Sequence, residues 1–261
     1  MNGGMMEEAH IVYNIENNTA YITINREKQR NAITPAGIAL FHEFLEEAEN
    51  NPDVRVVVVT GSGDRAFCTG AQLGDTMSGD GGDVFVEYAR LLHRLYSFPK
   101  PTVAKVKGYC LAGGMGFMLA CDIVIAGDTA QFGTPEVNVG LWPMMIGALI
   151  FRNVPRKRAM EMILLGERIQ ADAAKEMGLV TKVVPADAVD SETATVCSKL
   201  AAKSPVGIRI GKTAFNAVET MSIDDALMFL SGKLAEVAGT EDAREGITAF
   251  MEKREPLFTG K

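Results

Sequence analysis

The stretch Val106-Lys107-Gly108-Tyr109-Cys110-Leu111-Ala112-Gly113-Gly114-Met115-Gly116-Phe117-Met118-Leu119-Ala120-Cys121-Asp122 decides how this chain is read. It follows an apolar run over residues 101–106 that reads as a buried strand, then turns through small residues into an apolar helix. A strand that runs into glycines at a helix start leaves free N–H groups aimed at whatever lies in front of them. A second candidate donor loop lies upstream, in Ala66-Phe67-Cys68-Thr69-Gly70-Ala71-Gln72-Leu73, after the β-branched run 54–60. Downstream, Phe132-Gly133-Thr134-Pro135-Glu136 carries a lone carboxylate. Two amide donors and one carboxylate suggest chemistry on a carbonyl whose neighbouring carbon gains or loses a proton.

Working outward, the first half alternates strands and helices. Residues 11–15 and 20–24 read as a hairpin around Glu16-Asn17-Asn18, and 35–49 has helical spacing behind Thr34 as N-cap and Pro35. The Gly-, Asp- and Ser-rich segment 77–83 reads as a loop, followed by a helix over 83–96 that Pro99 and Pro101 end. Short strands are expected at 123–126 and 130–132. From residue 155 onward the pattern is helical, with helices at 155–165, 171–177, 186–202, 206–218, 223–238 and 241–253, and one strand at 179–183. The late helices carry apolar residues on more than one face, as a module that packs against another subunit does.

The 261 residues, 47% hydrophobic and 23% charged, suit one α/β domain or a domain with an appendage. A net charge of −7 argues against nucleic acid as the main partner. No run approaches the ~18 apolar residues of a membrane span, and residues 1–8 carry no apolar signal-peptide core. Cys68, Cys110, Cys121 and Cys197 lack C-x-x-C spacing and read as buried free thiols, so a cytoplasmic location is expected. The absence of G-x-G-x-x-G, G-x-x-x-x-G-K-[ST] and G-x-S-x-G disfavours a nucleotide-dependent dehydrogenase and a serine hydrolase.

The order of these pieces resembles the crotonase superfamily, the enoyl-CoA hydratase/isomerase family, across essentially the whole chain. Four segments carry the likeness: Asn25-Arg26-Glu27-Lys28-Gln29-Arg30-Asn31-Ala32, the loop 66–73, the stretch 108–122, and Phe132 to Glu136 running on to Gly140-Leu141-Trp142-Pro143. The resemblance implies an α/β fold: a crotonase-like repeated ββα core over 1–200, and a C-terminal α-helical trimerisation region over 201–261. It implies an acyl-CoA thioester substrate, self-association as a trimer or dimer of trimers, and no cofactor or metal beyond the coenzyme A of the substrate. By position, the amides of Ala71 and Gly113 would hold the thioester oxygen and Glu136 would act as acid and base. Arg26, Lys28, Arg30, Ala66, Cys68, Gln72, Leu73, Phe250 and Lys253 fall on segments that contact CoA in the family. The plain alternative for the basic residues is a solvated face.

The chain departs from the pattern at one position. Hydratases of the family carry two glutamates, and the first falls here on Gly116. Adding water across a double bond uses two groups, one to deprotonate the water and one to protonate carbon. A double-bond shift needs one, and monofunctional Δ3,Δ2-enoyl-CoA isomerases of the family use a single glutamate. Met144 occupies the position where dienoyl-CoA isomerases have a second carboxylate. The residues therefore favour isomerisation, with hydration by Glu136 plus a substitute group, or acyl-CoA binding without chemistry, as alternatives. Asp75, Glu87, Tyr88 and His93 are the candidate substitutes; His10 and His42 read as still weaker catalytic candidates, with His42 at the surface. Gly116, Tyr88, Trp142, Met144 and Met145 are expected to wall the acyl pocket, ordinary core packing being the alternative for Trp142 and the methionines.

Overall fold

The computed structural model describes residues 9–71 and 81–261, with the side chains of 81 and 82 excepted. Along the chain run β1 (Ile11–Glu16), β2 (Thr19–Ile24), α1 (Pro35–Asn50), β3 (Val56–Gly61), β4 (Ala66–Cys68), α2 (Gly81–Tyr96), β5 (Thr102–Val106), β6 (Tyr109–Leu111) and α3 (Gly113–Leu119). There follow β7 (Ile123–Gly127), β8 (Gln131–Gly133), α4 (Met144–Asn153), α5 (Arg156–Leu165), β9 (Ile169–Gln170), α6 (Ala171–Glu176) and β10 (Lys182–Val184). The chain closes with α7 (Val189–Ala201), α8 (Pro205–Val218), α9 (Ile223–Ala238) and α10 (Glu241–Glu252).

One sheet has the order β1-β2-β3-β5-β7-β10 and the other β4-β6-β8-β9. The β1–β2 hairpin is antiparallel, and β2, β3, β5, β7 and β10 follow in parallel. Their β-branched residues are covered on both sides, as parallel strands require: Val57 and Val59 face the main core, whereas Val56 and Val58 face a smaller cluster with Val103, Ile125 and Cys197. The second sheet is the one that positions the site. Both candidate loops leave its paired, parallel strands β4 and β6. Thr34 caps α1 as its sequence position predicts, its Oγ1 accepting from the Gly37 N–H at 3.0 Å.

Several elements differ from the sequence reading. The three-residue strands β4 and β6 are too short for periodicity to reveal, and α4 lies in an apolar run without a capping signal. The strand expected at 179–183 begins only at Lys182. Leu179 instead donates its N–H back to the Ala174 carbonyl at 2.9 Å behind Gly178 in the left-handed region, which closes α6. Of the loop expected at 77–83, residues 77–80 lie outside those described, and α2 already begins at 81. His42 is half-buried rather than at the surface, its Nε2 enclosed without a partner. Among the described residues no helix is long and apolar enough to cross a membrane.

Candidate active site

Asn31 organises the first loop from below. It is fully buried, and its amide donates to the carbonyls of Ser62 (3.0 Å) and Ala66 (2.6 Å) while its oxygen accepts from the Arg26 N–H and the Ser62 hydroxyl, each at 3.0 Å. The Ile33 N–H then bonds the Gly70 carbonyl at 2.8 Å, and Ile33 bridges Ala71 in parallel. Gly70 has φ +101°, where a Cβ would lie 3.0 Å from Ala112 Cβ and 3.3 Å from the Gly113 nitrogen. This close approach, open only to glycine, sets the two loops side by side.

The second loop turns at Gly108 (φ +64°), whose missing Cβ leaves room for the backbone of Asp64 and Arg65. Ala112 then adopts φ +50°, ψ −134°, an unfavourable conformation for an alanine, held by its N–H bond to the Gly133 carbonyl at 2.9 Å. That twist starts α3 at Gly113, whereas the Met115 N–H already bonds the Ala112 carbonyl at 2.9 Å. Among the described residues neither the Ala71 nor the Gly113 N–H has an acceptor.

Both residues line one cavity of about 460 Å³. Its remaining wall is apolar: Ile33 and Ile38, Val84 and Phe85 of α2, and the segment from Val139 through Leu141, Trp142, Pro143, Met144 and Met145 to Ile146. Glu136 enters from a 3₁₀ turn, Pro135–Val139, and is the carboxylate on this wall among the described residues. Its Oε2 is buried without a hydrogen-bond partner, and burial raises its pKa above the ordinary value of 4.5. A buried carboxylate oxygen without a partner is costly, and such a group on a cavity wall marks a functional candidate.

Tyr88 reaches the same cavity from α2, with its ring edge-on to Phe117 and its hydroxyl donating to the Gly113 carbonyl. Trp142 and Met144 are wall rather than core, 43% and 71% exposed, whereas Met145 both lines the cavity and packs against the main core. Gly116 is buried behind Tyr88 and is not itself on the wall.

The other expected residues are scattered. Ala66 and Cys68 are fully buried in β4, carrying the loop rather than facing the cavity, and burial pushes the Cys68 thiol up to about 12. Arg26 turns inward and donates to the Ala32 carbonyl at 2.6 Å, whereas Lys28 and Arg30 are exposed. The Thr69 hydroxyl, unforeseen in the sequence, lines the cavity and bonds the Arg30 carbonyl at 3.3 Å. Phe250 and Lys253 stand at the exposed end of α10 and do not line the cavity. Gln72, Leu73 and Asp75 lie outside the described residues. His93 and Glu87 lie on α2 off the cavity wall, Glu87 paired with Arg90. His10 bonds the Thr34 hydroxyl through Nδ1 at 2.8 Å. The described residues contain no cluster of His, Cys, Asp or Glu arranged to hold a metal ion.

This fold and cavity have clear relatives. The enoyl-CoA hydratase/isomerase family model matches residues 14–261. A putative enoyl-CoA hydratase of Thermus thermophilus is 34% identical over 92% of this chain and 96% of its own length. The 2,3-dehydroadipyl-CoA hydratase of Escherichia coli is 35% identical over 92% and 94%. Among solved structures, an enoyl-CoA hydratase from Bacillus anthracis superposes with a TM-score of 0.92 at 30% identity, covering 97% of this chain and all of that one. The chain belongs to the enoyl-CoA hydratase/isomerase family, within the crotonase superfamily, and has that superfamily's α/β fold. It is an enzyme of that family.

Proposed function

We propose that this enzyme shifts the double bond of an enoyl-CoA thioester from C3–C4 to C2–C3, using Glu136 as its single acid and base. The observation that carries the reading is Glu136, a half-buried carboxylate with one unpartnered oxygen, on the wall of the cavity that Ala71 and Gly113 also line, with no second carboxylate on that wall among the described residues. Glu136 takes the C2 proton. The electron pair moves into a dienolate whose oxygen accepts from the Ala71 and Gly113 amides. The same proton then returns to C4. Fixed donors to such an oxygen are each worth ~10²–10³ in rate. The apolar wall of Trp142, Met144 and Met145 receives the acyl chain, and exposed Lys28 and Arg30 meet the CoA phosphates. No cofactor enters beyond the CoA of the substrate. The apolar residues left exposed on α9 and α10 support self-association as a trimer or a pair of trimers.

Hydration of a 2-enoyl-CoA is the second reading, supported by the hydratase names of the relatives. Incubation with cis-3-enoyl-CoA and, separately, 2-enoyl-CoA distinguishes the two. Conversion of the 3-enoyl thioester with little water addition is expected; hydration of the 2-enoyl thioester without any shift of the other overturns the isomerase reading.

A further inference from the structure

We propose that Tyr88 sets which reaction the cavity performs, because its phenol fills the point from which a side chain at 116 would start and holds a neutral hydroxyl there. This rests on the one-base reading above. A Cβ built on Gly116 would collide with the Tyr88 hydroxyl and lie 2.7 Å from Ile146 Cγ2 and 3.1 Å from Leu92 Cδ1. Glycine is a poor residue for a helix interior, yet at this place in α3 even alanine has no room. The phenol is itself fixed. Its ring stands edge-on to Phe117 at 5.5 Å between centroids, and its proton is committed to the Gly113 carbonyl.

The consequence is chemical. Hydration breaks an O–H bond of water, forms C3–O and delivers a proton to C2; one group must accept the water proton as the C3–O bond forms. A phenol whose proton is already donated, and whose ionisation burial and the nearby Glu136 oppose, cannot serve as that base. It also occupies the volume that a second carboxylate at 116 would need. The shift of a double bond breaks C2–H and forms C4–H, which Glu136 can do alone. Tyr88 thus removes the requirement for one reaction and leaves the other intact, while its hydrogen bond steadies the first turn that carries the Gly113 amide.

The readout is the ratio of 2-enoyl-CoA hydration to 3-enoyl-CoA isomerisation, because a merely structural role for Tyr88 would lower both together. In Tyr88→Phe the ratio should stay as in the parent, because a phenyl ring supplies no base. In Gly116→Glu alone both activities should fall. The pair Tyr88→Ala with Gly116→Glu should raise the ratio at least about tenfold, at the lower edge of what a positioned acid–base group supplies. An unchanged ratio in the Tyr88→Ala, Gly116→Glu pair overturns the proposal, as does a gain of hydration in Gly116→Glu with Tyr88 intact. Thermal melts keep the test independent of turnover: Gly116→Ala should lower Tm, and adding Tyr88→Phe should recover part of the loss. Additive melting shifts overturn the juxtaposition. The unmodified enzyme's own preference between the two substrates tests the isomerase reading separately.

Discussion

Glu136 is a carboxylate in a cavity that penalises its charge, and this makes two measurable statements about one residue. Burial raises its pKa, so it ionises at higher pH than an exposed glutamate. The acid limb of the kcat/KM profile should therefore sit above the ordinary glutamate value of 4.5. An acid limb at or below that value would mean that another group limits the rate. The stability consequence has the opposite sense. A raised folded pKa means that the folded chain holds this proton more tightly than the unfolded chain, so its contribution is full below the unfolded value and is lost as pH rises through the folded one. Glu136→Gln removes that loss. It should lower kcat by ~10²–10⁴, yet melt at the same temperature as the parent or higher near neutral pH. A variant that melts well below the parent would show that Glu136 supports the fold rather than burdening it.

At the scale of elements, the site depends on two short strand–turn units brought together by backbone geometry. Gly70→Ala places a side chain at φ +101° and pushes it against Ala112 and the Gly113 nitrogen. A strained residue of this kind costs ~1–3 kcal/mol, and the displaced amides should cost at least about tenfold in kcat, with the loss of one oxyanion donor (~10²–10³) as the upper range. A Gly70→Ala enzyme with parental kcat would show that the loops need not touch. Much of this was legible beforehand. The glycines after an apolar run announced the second loop, Thr34-Pro35 announced α1, and Phe132 to Glu136 announced the carboxylate turn, since each rests on local chemistry. What stayed hidden is non-local. That Tyr88 of α2 stands over Gly116 of α3, or that Ala66 and Cys68 face inward, depends on how distant elements pack, and no spacing within either segment records it. Arg26 misleads for the same reason: a surface-looking arginine turns inward and donates to the Ala32 carbonyl.

At the scale of the molecule, the C-terminal helices are tied to the core by polar contacts and present much apolar surface. Lys212 of α8 pairs with Asp122, which also accepts from the Thr102 N–H at 2.7 Å and hydroxyl at 3.0 Å, linking α8 to the start of β5. Asp242, 1% exposed, accepts from the Ser204 hydroxyl at 2.7 Å and from the Thr259 and Gly260 N–H groups at 2.8 and 3.1 Å, pinning the C-terminal segment against α8 and α10. Asp242→Ala strands those donors and should cost about 2–4 kcal/mol in urea unfolding; a loss under about 1 kcal/mol would mean that water replaces the carboxylate freely. The apolar surface has a different role. On α9, Ile223, Leu227 and Leu234 form one stripe, 72%, 60% and 69% exposed, and Ile247, Phe250 and Met251 of α10 add 61%, 85% and 69%. Water-exposed apolar area on this scale marks an interaction face, and a second copy of this chain is the occupant that the proposed self-association would supply. Leu227→Glu with Leu234→Glu should therefore yield a smaller species in sedimentation while far-ultraviolet circular dichroism keeps its helical signal, because neither side chain belongs to the buried core. If the parent itself sediments as a monomer, the face serves another partner; if the double variant keeps the parent's mass, the contact lies elsewhere on the surface.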